Sequence, residues 1–80
     1  MSDGPIPSAG PHLGRVTSFD HKRGLGTVTE IDTGREYPFH ATAIADGSRS
    51  IAEQTVAIFT VTPGHGGRYE ARELLPAPTD

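Results

Sequence analysis

The apolar residues of this chain alternate with polar ones at a period of two, and glycine-rich turns interrupt the alternation at roughly the spacing of an all-β domain. The alternation predicts strands that bury one face, as in a barrel or sandwich. Neither a long helix nor an internal repeat is predicted. At 80 residues the chain has room for one domain with a single small core.

Five strands are predicted, at residues 13–19, 25–31, 35–40, 54–62 and 68–74. The first three would form a meander, and one helical turn is expected at 41–45. The folded domain is predicted to span residues 12–75. The flanking segments, 1–11 and 76–80, are rich in proline and have few residues to bury, so a disordered arm and a disordered tail are expected there.

The predicted interior takes the apolar residues on one face of each strand, together with isoleucines from the connections. These core residues are Val16, Val28, Tyr37, Phe39, Ile44, Ile51, Ala57, Phe59, Val61 and Ala71. Gly24 is expected to allow the tight turn after the first strand, and Gly26 to let the second strand coil. Leu74 can share the inward face with Ala71 only if the fifth strand contains a bulge.

Composition narrows the functional classes. The chain has no cysteine, so it has no disulfide framework, thiolate zinc site or iron–sulfur cluster, and the cytoplasm is the expected compartment. It has no signal-peptide pattern and no apolar run near the roughly 20 residues that span a bilayer, so no membrane contact is expected. A net charge of −3 argues against strong non-specific binding to nucleic acid.

Three segments carry a recognisable pattern: 14–19 (GRVTSF), 22–28 (KRGLGTV) and 39–44 (FHATAI), followed by Phe59, Val61 and Gly67. In order and spacing, the chain resembles the bacterial cold-shock domain family over residues 13–75. The resemblance implies an all-β, five-stranded antiparallel Greek-key barrel of the OB-fold type. It also implies binding of single-stranded RNA or DNA, with bases stacked on aromatic side chains of the first three strands.

Most positions where the family stacks bases carry no aromatic ring in this chain. These positions are Ser18, Leu25, Thr27, Pro38, Ala41 and Ser48. His40 keeps a stacking ring, and Phe19 is expected at the edge of the face. A stacked base contributes about 1–3 kcal/mol, so the predicted binding is weak. It would rely on cations and therefore depend on salt. The predicted nucleic-acid-binding residues are Arg15, Phe19, Lys22, Arg23, Leu25, Thr27, His40 and Arg49.

Catalysis and cofactors find no support in the sequence. The four histidines (His12, His21, His40 and His65) have neither the spacing of metal ligands nor a cysteine partner, so no metal site is predicted. The segment 24–26 (GLG) precedes a strand instead of a helix, which excludes a phosphate-binding loop. No catalytic residues, no cofactor and no enzymatic activity are therefore expected.

A second class of function stays open. In the fourth predicted strand Val56, Ile58 and Thr60 would face outward, and exposed apolar residues of this kind mark contact sites. The alternative prediction is therefore a protein-interaction or homodimerisation module that no longer binds nucleic acid. Its contacts would lie on the Val56 and Ile58 stripe, or on a face made of Leu25, Thr27, Pro38 and Ala41.

Overall fold

The structure, a computed structural model, describes residues 10–77, excepting the side chain of His65. Within these residues five strands form one antiparallel sheet in the order β3-β2-β1-β4-β5. The strands are β1 (His12–Asp20), β2 (Leu25–Glu30), β3 (Glu36–His40), β4 (Val56–Pro63) and β5 (Tyr69–Pro76). Two short helical turns, η1 (Ala41–Ala43) and η2 (His65–Gly67), follow β3 and precede β5. Across residues 10–77, no helix reaches the length and apolar content that a membrane crossing requires.

The predicted strands and the helical turn are all present, with strand ends displaced by at most two residues. Val28 pairs with Val16 on one side and with Tyr37 on the other, which confirms the meander. Ordered backbone continues past the predicted domain end at residue 75, because the Ala77 N–H donates to the Val56 carbonyl at 2.8 Å. Most of the predicted arm and tail falls on residues 1–9 and 78–80, which lie outside the described part of the chain.

Every predicted core residue is buried, and Ala41, Ala43 and Leu74 join this set. The rings of Tyr37 and Phe59 lie 5.8 Å apart between centroids and are inclined by 58°. Burial of a large apolar side chain stabilises the folded state by about 1.5–3 kcal/mol. Period-two patterning therefore predicted most of the buried apolar residues of this small domain.

A bulge in β5 brings Ala71 and Leu74 to the same face of the sheet. Ile58 pairs with Leu75 and Thr60 pairs with Arg72, so a step of two residues on β4 faces a step of three on β5. Ala71 and Leu74 are both fully buried. Strand parity alone left the register of β5 open, and this bulge settles it.

A second irregularity, in β1, leaves two consecutive residues, Thr17 and Ser18, exposed. Val16 pairs with Val28 and Ser18 with Thr27, which leaves Thr17 without a partner in β2. The Thr17 hydroxyl donates to the Thr27 carbonyl at 3.2 Å. Beyond this bulge Ser18 is exposed.

The two outer strands approach each other without forming a ladder, so the sheet is not closed within the described residues. An isolated parallel bridge joins Ile44, which follows η1, to Leu74 in β5. The Ala45 N–H donates to the Leu74 carbonyl at 2.7 Å. These contacts hold β5 beside the end of β3 and bring residues from both strands to one surface.

Candidate functional site

An open groove of about 500 Å³ lies on the solvent face of β1, β2 and β3. Two cross-strand rows form its floor, Ser18–Thr27–Pro38 and Asp20–Leu25–His40. Its lining is completed by Arg23, Gly26, Phe39 and Glu70. Of the predicted binding residues, the structure brings together four in this groove: Arg23, Leu25, Thr27 and His40.

The floor depends on the missing side chain of Gly26. A Cβ atom there would lie 2.6 Å from Phe39 Cζ and 2.9 Å from Phe19 Cδ1. These two rings stack beneath the strand, with centroids 5.9 Å apart and planes 11° apart. Gly26 therefore allows the rings to approach the backbone closely.

His40 is held by the turn that follows it. Its Nδ1 accepts from the Thr42 N–H at 3.2 Å and lies 3.1 Å from the Thr42 hydroxyl. Because Nδ1 accepts, the neutral ring carries its proton on Nε2. The exposed ring thus offers one N–H donor and one π-face to a ligand in the groove.

The hairpin turn between β1 and β2 is built on Asp20. Its Oδ1 accepts from the N–H groups of Lys22 at 2.9 Å and Arg23 at 3.2 Å. Gly24 closes the turn with a φ of 67°, which confirms the reason predicted for a glycine at this position. Arg23 is in the groove lining, whereas Lys22 is exposed outside it.

Phe19 is not part of the groove lining. Its ring is half-buried against the core and meets the edge of the His21 ring at 5.0 Å between centroids. This ring also stacks on Phe39, so it is half-buried and lies outside the groove lining. Ala41, expected on the same face, is buried and donates its N–H to the Gly24 carbonyl at 2.8 Å.

Arg15 lies away from the groove. It occupies β1 between Thr29 and Val56, and its guanidinium donates to the Gln54 carbonyl at 3.2 Å. The side chain is exposed on the outer face of the sheet. Arg15 is therefore not placed to contact a nucleic acid that lies in the groove.

Arg49 belongs to an exposed loop that is ordered by its own hydrogen bonds. The Asp46 carboxylate accepts from the Ser48 N–H at 2.9 Å. This bond, aided by the Ser48 hydroxyl, lowers the pKa of Asp46 below its ordinary value. Arg49 follows with a φ of 62° and is absent from the groove lining.

Two carboxylates that the sequence did not predict at this surface line the groove. Asp20 lies at one end, with an oxygen 3.9 Å from Arg23 Nε, and Glu70 reaches the groove from β5. One arginine thus faces two carboxylates. This balance weakens the attraction of the groove for phosphate.

An apolar row crosses the outer face of β1, β4 and β5. Leu13 pairs with Ile58, and Ile58 pairs with Leu75. Their exposures are 45%, 40% and 49%. Ile58 was predicted to face outward; the register adds a leucine on each side of it, and Val56 is half-buried.

No three histidine or carboxylate side chains in the described ranges lie close enough to hold a metal ion. Comparison of the chain with protein-family models and with curated proteins finds no match.

Proposed function

We propose that this chain is a divergent cold-shock-type protein that binds single-stranded RNA or DNA weakly through the groove on β1, β2 and β3. The observation that carries the proposal is the convergence of Arg23, Leu25, Thr27 and His40 in one open groove. These residues stand at positions that resemble the base-binding positions of the family. An open strand surface suits a flexible chain of bases better than an enclosed small molecule.

The finer architecture belongs to the same proposal: the coiled sheet is a barrel of the OB-fold type. Support comes from the approach of β3 to β5 and from the parallel bridge between Ile44 and Leu74. A Greek-key barrel of this kind presents its first strands as a binding surface. The proposed site lies on those strands.

Weak affinity follows from the chemistry of the groove. A micromolar complex needs about 8 kcal/mol of binding free energy. Stacked bases contribute about 1–3 kcal/mol each. In the described lining of this groove, His40 provides the one exposed aromatic ring. Asp20 and Glu70 oppose the phosphates, while Arg23 attracts them, so binding is expected at low salt and lost as salt rises.

The test is a titration of the ¹⁵N-labelled protein with pyrimidine-rich and mixed single-stranded oligonucleotides at low and moderate salt. Amide shifts are expected at residues 22–27 and at His40, and they should shrink as salt is added. The amides of Leu13 and Leu75, on the outer face, serve as internal controls. If millimolar oligonucleotide at low salt shifts no groove amide, the proposal is wrong.

A second candidate is the interaction or homodimerisation module, which the apolar row of Leu13, Ile58 and Leu75 favours. Here the outer face would contact a protein partner or a second copy of the chain. Sedimentation that depends on concentration, and that Ile58→Lys abolishes, would support self-association. A monomer at every concentration would leave only a different protein as the partner.

A further inference from the structure

A second groove of about 380 Å³ lies beside the first along the seam between β3 and β5. Its lining is Arg35, Glu36, Tyr37, Pro38, Gly67, Arg68 and Tyr69. Pro38 lines both grooves, and Glu70 in the first is the neighbour of Tyr69 in the second. An extended ligand that lies in the first groove can therefore continue over Pro38 into the second groove.

The distance along this path suits more than one nucleotide. From His40 to Arg35 the strand advances five residues, or roughly 16 Å at 3.3 Å per residue. On the opposite side of the two grooves, the lining residues run in the same direction, from Glu70 back to Gly67. The two grooves together provide an elongated track with one wall from each outer strand.

Charge distinguishes the two grooves. The first contains Arg23 against Asp20 and Glu70. The second contains two arginines, Arg35 and Arg68, against the single carboxylate of Glu36. Polyanions are attracted to the end of the track where cations are in excess, so the second groove is the better place for phosphates.

Arg68 is available for such a contact. Its carbonyl accepts from the Gly64 N–H at 2.6 Å, which fixes the backbone of the turn before β5. Its side chain is exposed, and no carboxylate in the described ranges forms an ion pair with it. An arginine held in this way binds phosphate oxygens through two N–H groups.

Tyr69 places an aromatic side chain beside these cations. It is half-buried, packs against the core and pairs through its backbone with Pro63. Because one side of the Tyr69 ring already packs against the core, the side chain loses less conformational entropy when a base contacts its other side. A tyrosine in this setting can replace one of the rings missing from β1, β2 and β3.

We infer that Arg35, Arg68 and Tyr69 form a second subsite of the nucleic-acid groove. The two guanidinium groups bind phosphodiester oxygens, and the Tyr69 ring packs on a base. This inference rests on the proposed function. It assigns the main cationic contact to the seam between β3 and β5 instead of the hairpin turn.

The experiment measures the affinity of the full chain for a fluorescein-labelled single-stranded oligonucleotide as salt is varied. Arg68→Gln is compared with Arg72→Gln, which removes the same charge four residues further along the chain, at an exposed position in β5 outside both grooves. Arg68→Gln should weaken binding about threefold at low salt. It should also reduce the slope of log K against log salt by about 0.7, the value for one phosphate contact of a single strand. Arg72→Gln should change neither quantity, and Arg35→Gln should act like Arg68→Gln.

The ring is tested with Tyr69→Leu and Tyr69→Phe. Tyr69→Leu should weaken binding about fivefold, whereas Tyr69→Phe keeps the π-face and the affinity. An oligonucleotide with abasic positions should bind equally to the wild type and Tyr69→Leu while still responding to Arg68→Gln. That result separates base contact from phosphate contact.

The outcomes distinguish this inference from the function on which it rests. If the oligonucleotide shifts the amides of Leu25 and His40 but Arg68→Gln behaves like Arg72→Gln, the second subsite is wrong and the first groove remains. Equal affinities of Tyr69→Leu and wild type for the intact oligonucleotide would remove the stacking contact. Absence of any binding at low salt would overturn both proposals.

Discussion

His12 Nδ1 lies 2.8 Å from Glu30 Oε2, and their side chains are only 7% and 13% exposed. The imidazole also stacks on Phe59, with ring centroids 5.5 Å apart and planes inclined by 19°. These contacts tie the beginning of β1 to the end of β2. The first residue of β1 therefore packs against the core.

Replacement of His12 by alanine should lower the free energy of unfolding by about 1–3 kcal/mol, because it removes ring packing and a partner of a poorly exposed carboxylate. His21→Ala is the control, since His21 is exposed and makes an edge contact with Phe19. Urea denaturation followed by circular dichroism measures both. Equal losses in the two variants would show that the His12 contacts contribute nothing specific.

The bulge in β5 makes two adjacent leucines unequal. Leu74 is fully buried and Leu75 is 49% exposed. Leu74→Ala should cost about 2–5 kcal/mol of stability through lost burial and the cavity left behind. Leu75→Ala should cost less than about 1 kcal/mol, as expected for an exposed site. The reverse order in thermal or urea denaturation would mean that the register of β5 is different.

A methyl group at position 26 should be poorly tolerated. Gly26→Ala places a Cβ against Phe39 and Phe19, and we expect a loss of about 1–3 kcal/mol from the forced movement of the rings. The control is Gly47→Asn, because Gly47 has a φ of 79° and open space around it, and asparagine tolerates this conformation. Ring-current shifts of the two phenylalanines in NMR spectra should change only in Gly26→Ala.

Addition of a ring to the groove should strengthen binding. Leu25 is 49% exposed in the groove, and Leu25→Phe supplies a stacking platform worth about fivefold or more in oligonucleotide affinity. Leu75→Phe is matched to it, since Leu75 is equally exposed on the outer face. Fluorescence anisotropy measures both affinities. No gain in Leu25→Phe, or an equal gain in Leu75→Phe, would contradict the position of the site.

The Asp46 carboxyl should titrate below its ordinary pKa. The Ser48 N–H and hydroxyl stabilise its charged form, so Ser48→Ala should raise the pKa part of the way back while the backbone N–H still holds it down. Because the pKa of Asp46 is lower in the folded state than in the unfolded state, its hydrogen bonds stabilise the folded protein at pH values above the ordinary pKa. This stabilisation disappears as the pH falls through the folded-state pKa. Carbon-detected NMR of the side-chain carboxyl follows the titration, and an unchanged pKa in Ser48→Ala would exclude the hydroxyl contribution.

The strands and their buried faces could be predicted because each follows from the alternation of apolar and polar residues within one short segment. Val28, Tyr37 and Phe39 face inward by strand parity alone, whereas the opposite parities of Ala71 and Leu74 left the register of β5 open until the structure showed the bulge. Strand parity does not show which polar side chains pack against the core. It left His12 as an unassigned polar residue, although burial against Phe59 and Glu30 makes it a core contact.

The candidate site could be predicted only where the first three strands, which are consecutive in the sequence, supply it. Arg23, Leu25 and Thr27 belong to a single hairpin and appear in the groove as expected. Glu70 and Tyr69 reach the same surface from β5, whose position beside β3 depends on contacts distant in sequence. No local pattern marks those residues, and their charge and ring change the expected chemistry of the site.

An open sheet leaves two strands with hydrogen-bonding groups that another chain could use. In β3 this edge carries Pro38, which has no N–H to offer, and in β5 the bulge around Glu73, with a φ of 57°, breaks the regular spacing of donors and acceptors. Both features hinder the addition of a foreign strand. The proline in β3 and the bulge in β5 are therefore expected to disfavour edge-to-edge aggregation.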